Sequence, residues 1–169
     1  MSDEGSPRLS WIGRIKNSGN QPHAAHADMD LEFLGLEIAG NVTGKAEQAL
    51  ILGPKVDLLA RNEIRLAPYS KLTLDGGSVS SLRWLDIHPN ATLNGQGTIQ
   101  AVLYNQGSVI LTGREQTTLR LDGDYHQSDE GELKVTLAGE VPAFHVAGVA
   151  RLGGTLSIEI ADGFEPAQG

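Results

Sequence analysis

Three aromatic residues between positions 84 and 125 of this sequence could bind a ligand by stacking. Trp84, Tyr104 and Tyr125 each carry a flat ring that can pack against a sugar ring when the side chain is exposed. The alternative is that these rings pack in a core or at the edge of a structural repeat. The sequence favours this alternative but keeps all three residues as candidates for ligand binding.

Asp122 and Asp124 could act as a catalytic acid and base. Residues two apart in a strand point to the same face, so the alternation would place both carboxylates side by side. Two such groups can cleave a glycosidic bond when their surroundings separate their pKa values. The alternative is a turn around Gly123 with two solvated carboxylates. The sequence favours the turn, so we expect no catalytic group.

The stretch HAAHADMD could hold a metal ion. His23 and His26 would share one face of a helix, or Asp28 and Asp30 would share one face of a strand. The favoured alternative is a polar arm that leads into the first strand. Because the chain contains no cysteine, disulfides and thiolate metal sites are excluded. We therefore expect no metal and no cofactor.

Composition argues against several classes of partner. The chain has 13 basic and 21 acidic residues, a net charge of −8, and no visible basic patch that would bind phosphates. Nucleic acid is therefore not an expected partner. No run of about 18 apolar residues is present, so we expect no membrane insertion. The start MSDEGSPR has no signal-peptide pattern, which predicts either a cytosolic protein or a piece of a longer chain.

The elements that would position these residues are short strands. From Leu31 onward, apolar and polar residues alternate in short runs that end at Gly, Asn-Gly, Asp-Gly or Pro. Alternation with period two predicts strands with one buried face, and these terminating residues supply turns. Only residues 44–63 could form a helix, and Gly53-Pro54 divides them, so we expect strands there as well. The pattern predicts an all-β fold.

A weak repeat indicates how the strands are arranged. The triplet Leu-x-Gly begins at positions 74, 93, 111, 121, 137 and 152, at spacings that approach one coil of a β-solenoid. In ATLNGQGTIQAVLYNQGSVI, residues 91–110, we expect the bend at Asn94 and Gly95 to recur one coil later at Asn105 and Gly107. Regularly spaced short strands also fit a β-sandwich or jelly roll, so this alternative stays open.

The second half resembles a known family. The segments LDGDYHQSDEGELKVTLAGE and FHVAGVARLGGTLSIEIADGFEP are similar to the passenger-associated β-strand repeat of bacterial autotransporters. The similarity covers residues 70–169 and is strongest from Leu121 onward. The matching positions are Gly123, Tyr125, Gln127, Gly131, Leu133, Val135, Leu137, Val146, Gly148, Ala150, Leu152, Gly153, Gly154, Thr155, Leu156, Gly163, Phe164 and Pro166. The resemblance implies a single-stranded right-handed parallel β-helix that is secreted or displayed on a bacterial surface.

Two regions and one function class are therefore expected. Residues 1–30 would form a polar arm or cap, and residues 31–169 the β-solenoid domain. The function implied is a non-catalytic structural or adhesive module of a larger bacterial surface or secreted protein. The alternatives are a polysaccharide-binding accessory module and, third, a polysaccharide-degrading enzyme. Expected partners are a polysaccharide, another surface protein, or a second copy paired edge to edge through unpaired strand backbone.

Overall fold

The chain folds as a parallel β-solenoid of about six turns. The computed structural model describes residues 12–112, 118–137 and 144–161. Within these ranges there is no helix, and every pairing between the named strands is parallel. The all-β parallel β-helix expected from the sequence is confirmed. A sandwich or jelly roll is excluded, because those folds are built from antiparallel strands.

Sixteen strands are present in the described part of the chain. In chain order they are β1 (Ile12–Lys16), β2 (His23–Ala27), β3 (Leu31–Phe33), β4 (Gly35–Ala39), β5 (Gln48–Leu52), β6 (Asp57–Ala60), β7 (Ile64–Leu66), β8 (Ser70–Ile87), β9 (Thr92–Asn105), β10 (Ser108–Thr112), β11 (Leu119–Leu121), β12 (Tyr125–Gln127), β13 (Glu132–Leu137), β14 (Phe144–Val146), β15 (Ala150–Arg151) and β16 (Thr155–Ile160). The segment 44–63 contributes β5 and β6, so the expectation of strands there is confirmed.

Three ladders of parallel strands run along the solenoid, and we name them faces A, B and C. Face A contains β1, β4, β7, β12 and β15. Face B contains β2, β5, β10, β13 and β16, and face C contains β3, β6, β11 and β14. The long strands β8 and β9 bend through all three faces.

The alternation seen in the sequence becomes columns of stacked side chains. On face B, Leu50 pairs with Leu72, Leu72 with Leu93, and Leu93 with Val109. All four side chains are buried. Because parallel strands lie about 4.8 Å apart, each coil adds one apolar residue to each column and one hydrogen-bonded strand to each face. The core is therefore a continuous apolar rod along the solenoid axis.

Glycine makes one corner of this rod possible. Gly95 and Gly97 have φ angles of 109° and 144°, which L side chains rarely adopt. A Cβ on Gly95 would also lie 1.9 Å from the carbonyl oxygen of Leu74 on the previous coil. These glycines turn the chain from face B to face C. Asn105 and Gly107, in contrast, lie between faces A and B, so the expectation that they repeat the same bend is wrong.

The solenoid begins before residue 31. β1 pairs with β4 and β2 pairs with β5, both in parallel register. Residues 12–27 are thus part of the same sheet, and the boundary expected near residue 30 does not separate an arm from the solenoid. Residues 1–11 lie outside the described ranges.

The inner columns become exposed at the last described strand. Leu156, Ile158 and Ile160 of β16 continue the inward positions of β13, yet they are 50%, 59% and 58% exposed. On β13 the equivalent Leu133 is only 6% exposed. A strand that stacked on β16 would bury this apolar row.

Candidate functional site

The candidate site is built on the outward side of face A. Residues that alternate with the inward columns point away from the core, and the strand register aligns them along the axis. Arg65 pairs with Asp86, Asp86 with Tyr104, Tyr104 with His126, and His126 with Arg151. We call these five residues the A row. It crosses five coils and places one side chain on each.

Tyr104 and His126 form the aromatic centre of the A row. Tyr104 is 41% exposed, and its ring stacks on the His126 ring with centroids 5.1 Å apart and an interplanar angle of 16°. Nδ1 of His126 lies 3.4 Å from Nη1 of Arg151. The stack therefore presents two flat rings and a guanidinium as one continuous surface.

Trp84 extends this surface sideways. It precedes Leu85 and Asp86 on β8, is half-buried, and packs 5.4 Å from the Arg83 guanidinium carbon. An Arg over an aromatic face is a stabilising cation–π arrangement, and it holds the indole ring in place. Two of the three aromatic residues singled out from the sequence, Trp84 and Tyr104, therefore lie on the same face.

Trp84 and Tyr104 both line an open groove of about 360 Å³. Its walls are formed by Arg65, Trp84, Asp86, Tyr104 and Gln106. We call it the A groove. Flat rings combined with a few polar groups are the composition of sites that bind small molecules or sugars.

The two charged groups of the A groove, Asp86 and Arg65, differ in exposure. Oδ2 of Asp86 lies 3.2 Å from Nε2 of His88, while its buried Oδ1 has no hydrogen-bond partner among the described residues. That contact lacks hydrogen-bond geometry. Arg65 is exposed and has no carboxylate within 4.0 Å in the described part of the chain.

Tyr125 is not a surface residue, which corrects its place among the ligand-binding candidates. Its pairing with Leu103 puts it on an inward column, where it is fully buried. The hydroxyl accepts a hydrogen bond from Nδ2 of Asn105 at 3.0 Å and donates one to Oε1 of Gln127 at 2.7 Å. Burial raises the pKa of Tyr125 to about 12, against the lowering effect of the Asn105 hydrogen bond. The ring cannot stack on a ligand in solvent.

The side-chain amides of Asn105 and Gln127 form hydrogen bonds between successive coils at the corner between faces A and B. The Asn105 amide donates to the Glu132 carbonyl at 2.9 Å and its Oδ1 accepts from the Gly107 amide at 3.1 Å. Gln127 Nε2 donates to the Thr155 carbonyl at 3.0 Å. These buried amides close the corner between faces A and B.

Asp122 and Asp124 lie in the turn between β11 and β12 and not on a strand. Asp122 forms an ion pair with Arg120, 2.7 Å between Oδ1 and Nε. Asp124 Oδ1 accepts a hydrogen bond from the Val149 amide at 2.8 Å. A Cβ on the intervening Gly123 would meet the Ala101 carbonyl oxygen at 2.0 Å, so the turn is tight. The strand-face geometry required for an acid–base pair is not present.

The four residues of the metal hypothesis are not gathered into one site. His23 and His26 lie on a strand instead of a helix, and three residues apart they point to opposite sides. Asp28 is exposed in the following turn, and Asp30 Oδ1 accepts a hydrogen bond from the Asp57 amide at 2.9 Å. In the described ranges, no group of three or more His, Cys, Asp or Glu side chains could hold a metal ion.

Sequence reasoning missed most of the A groove. Arg65, Asp86 and Gln106 of the groove are ordinary polar residues, as are His126 and Arg151 of the A row, and nothing in their local sequence marks them as partners. The one available signal was their outward position in consecutive strands. That signal becomes useful only when the register between coils is known.

The fold and site together define a parallel β-solenoid that carries an exposed aromatic groove on one face. No helix in the described part of the chain is long and apolar enough to cross a membrane. No protein-family model matches the chain, and neither the curated proteins nor the solved structures contain a match. The solenoid arrangement is thus established by its own strand register, while the likeness to the autotransporter-associated repeat stays a prediction.

Proposed function

We propose that this chain is a non-catalytic structural and adhesive module of a larger bacterial surface or secreted protein, and that its A groove binds polysaccharide. The bacterial surface setting rests on the resemblance of residues 70–169 to the passenger-associated repeat. The single observation that carries the binding role is the meeting of Trp84 and Tyr104 in one exposed groove.

The structural role is supported by the uninterrupted stack of coils. Columns such as Leu50, Leu72 and Leu93 are fully enclosed, and every coil is hydrogen-bonded to the next by parallel ladders. A solenoid built this way resists bending because each repeat contacts its neighbours along all three faces. Stiffness of this kind suits a module that holds a binding surface away from its anchoring point.

The adhesive role is supported by the chemistry of the A groove. Trp84 and Tyr104 offer apolar ring faces, and Asp86 and Gln106 offer hydrogen-bonding groups beside them. A sugar is complementary to both features, since its ring presents apolar C–H faces and its edge presents hydroxyls. Cleavage is the less favoured function, because Asp122 and Asp124 are each engaged by a partner in a tight turn.

A glycan array tests the binding role directly. The purified chain is expected to bind a restricted class of polysaccharides, and Trp84→Ala and Tyr104→Ala are each expected to weaken that binding by about tenfold or more. Ile51→Ala is the control, because Ile51 is an outward, half-buried residue on face B. Absence of binding across a broad array, with the folded state verified, would remove the adhesive part of the proposal and leave a purely structural module.

A further inference from the structure

We infer that the polysaccharide bound by face A is acidic, and that it lies along the solenoid axis with its carboxylates paired to Arg65 and Arg151. This inference rests on the proposed function, since it names the class of sugar that the same site takes. It depends on the charges of the A row and on their spacing.

Neither of the two arginines is held by a carboxylate, and Arg151 contacts only the ring nitrogen of His126 among the polar contacts of the described residues. Neither Arg65 nor Arg151 has a carboxylate within 4.0 Å in the described ranges, and both side chains are exposed. In contrast, Arg61, which directly follows β6, is held by Glu32, and Arg120 is held by Asp122. A guanidinium presents parallel N–H donors that match a carboxylate, so an unpaired Arg in a groove favours a planar anion.

The A row has a local charge opposite to that of the chain. The chain carries a net charge of −8, yet the A row holds two arginines and one carboxylate, Asp86. Toward β1 the same outward positions continue with Glu37 and Arg14, which add one charge of each sign. Asp86 itself lies against His88, 3.2 Å from its Nε2. The potential above the row is therefore more favourable to an anion than the composition of the whole chain suggests.

The order of side chains along the row matches a sugar polymer with spaced carboxylates. Arg65 and Arg151 are four strand spacings apart, roughly 19 Å at about 4.8 Å per strand. Between them lie the part-buried carboxylate of Asp86 and the stacked rings of Tyr104 and His126. A chain that ran along the axis would place sugar rings on the aromatic centre and anionic groups at the two ends.

The decisive experiment compares acidic polysaccharides with their own neutral forms. Polygalacturonate, alginate and hyaluronate, each with its carboxyl-reduced counterpart, are titrated into the full chain by calorimetry. We expect at least one acidic polymer to bind at least tenfold more tightly than its reduced form. Arg65→Gln and Arg151→Gln are each expected to weaken that binding by about tenfold, while the matched control Arg120→Gln on face C leaves it within twofold.

Other outcomes overturn the inference in distinguishable ways. Equal affinity for acidic and reduced polymers, unchanged in Arg65→Gln, would show a neutral-sugar site and leave the proposed function intact. Binding that Trp84→Ala abolishes but neither arginine variant affects would lead to the same conclusion. Absence of binding to every acidic and reduced polymer, with circular dichroism showing a folded chain, would overturn both the inference and the polysaccharide-binding role.

Discussion

Tyr104 and Tyr125 lie on successive coils of face A, yet one is 41% exposed and the other is fully buried. The register explains the difference. Tyr104 pairs with His126, on the outward row, and Tyr125 pairs with Leu103, on an inward column. One residue of offset along the strand decides which side a ring faces, because side chains alternate with period two.

The two tyrosines consequently make different kinds of contact. Tyr125 packs its ring edge-on against Phe144, with centroids 5.3 Å apart, and shares its hydroxyl with Asn105 and Gln127. Tyr104 stacks on the half-buried ring of His126 and lines the A groove. The comparison indicates that inward aromatic residues stabilise the solenoid, whereas outward ones are available for recognition. Four predictions test this division.

The largest effect is expected when the buried ring is removed. Tyr125→Ala deletes a fully enclosed side chain and leaves a cavity at the corner between faces A and B. The free energy of unfolding should fall by about 3–5 kcal/mol. Urea denaturation followed by far-UV circular dichroism measures this change. A loss smaller than that of Tyr104→Ala would contradict the division between inward and outward rings.

A smaller loss is expected from the buried amide that accompanies Tyr125. Asn105→Ala removes the donors to Tyr125 and to the Glu132 carbonyl and the acceptor for the Gly107 amide. Buried polar groups left without partners cost about 1–3 kcal/mol of stability. The adjacent Gln106→Ala is the matched control, because Gln106 lines the open A groove and its loss should change stability by about 0.5 kcal/mol or less. Equal losses in the two variants would refute the structural role of the Asn105 amide.

The third prediction uses pH. Burial raises the pKa of Tyr125 from 10.0 to about 12, so the native chain holds this phenolic proton more tightly than the unfolded chain does. The resulting stabilisation is fully present below pH 10 and is lost as the pH rises toward 12. Denaturant titrations across this window should show a steeper decline for the wild type than for Tyr125→Phe. Tyr104→Phe is the control and should retain the wild-type decline. Identical curves for all three chains would contradict the conclusion that the buried Tyr125 hydroxyl causes the decline.

The smallest change in stability is expected in the A groove. Tyr104→Ala removes an exposed ring that contacts His126 on one side only, so the free energy of unfolding should change by about 0.5 kcal/mol or less. The same variant is expected to lose most of its polysaccharide binding. A large drop in the free energy of unfolding would show that the outward ring stabilises the fold. It would contradict the conclusion that only the inward tyrosine has a structural role.

Much of the fold could be predicted, because its signals are local. Alternation in LTL at 72–74 and LRL at 119–121 identified strands with one buried face, and both pairs of leucines are buried. Gly95 sits at a corner where φ is positive, as expected for Asn-Gly. The prediction that Asn105 and Gly107 repeat the bend at Asn94 and Gly95 was wrong, because similar Asn- and Gly-containing segments can turn the chain at different corners of a coil.

The candidate site was only partly predictable. Trp84 and Tyr104 were found by residue type, whereas Arg65, His126 and Arg151 were not. Tyr125 was indistinguishable from Tyr104 in the sequence, since both stand in short alternating runs. What separates them is the pairing between coils, which joins residues about 20 positions apart along the chain.

By itself, the sequence determined that this chain is all-β, rich in turns and without cysteine chemistry, because period-two alternation and glycine geometry act between neighbouring residues. Only the tertiary structure decided which outward residues share a face. Each coil of the solenoid has its own length, from the 16 residues between Leu93 and Val109 to the 28 between Leu36 and Ile64. The register that aligns the A row is therefore set by the packing of the inner columns, coil upon coil, and not by a spacing that can be counted along the chain.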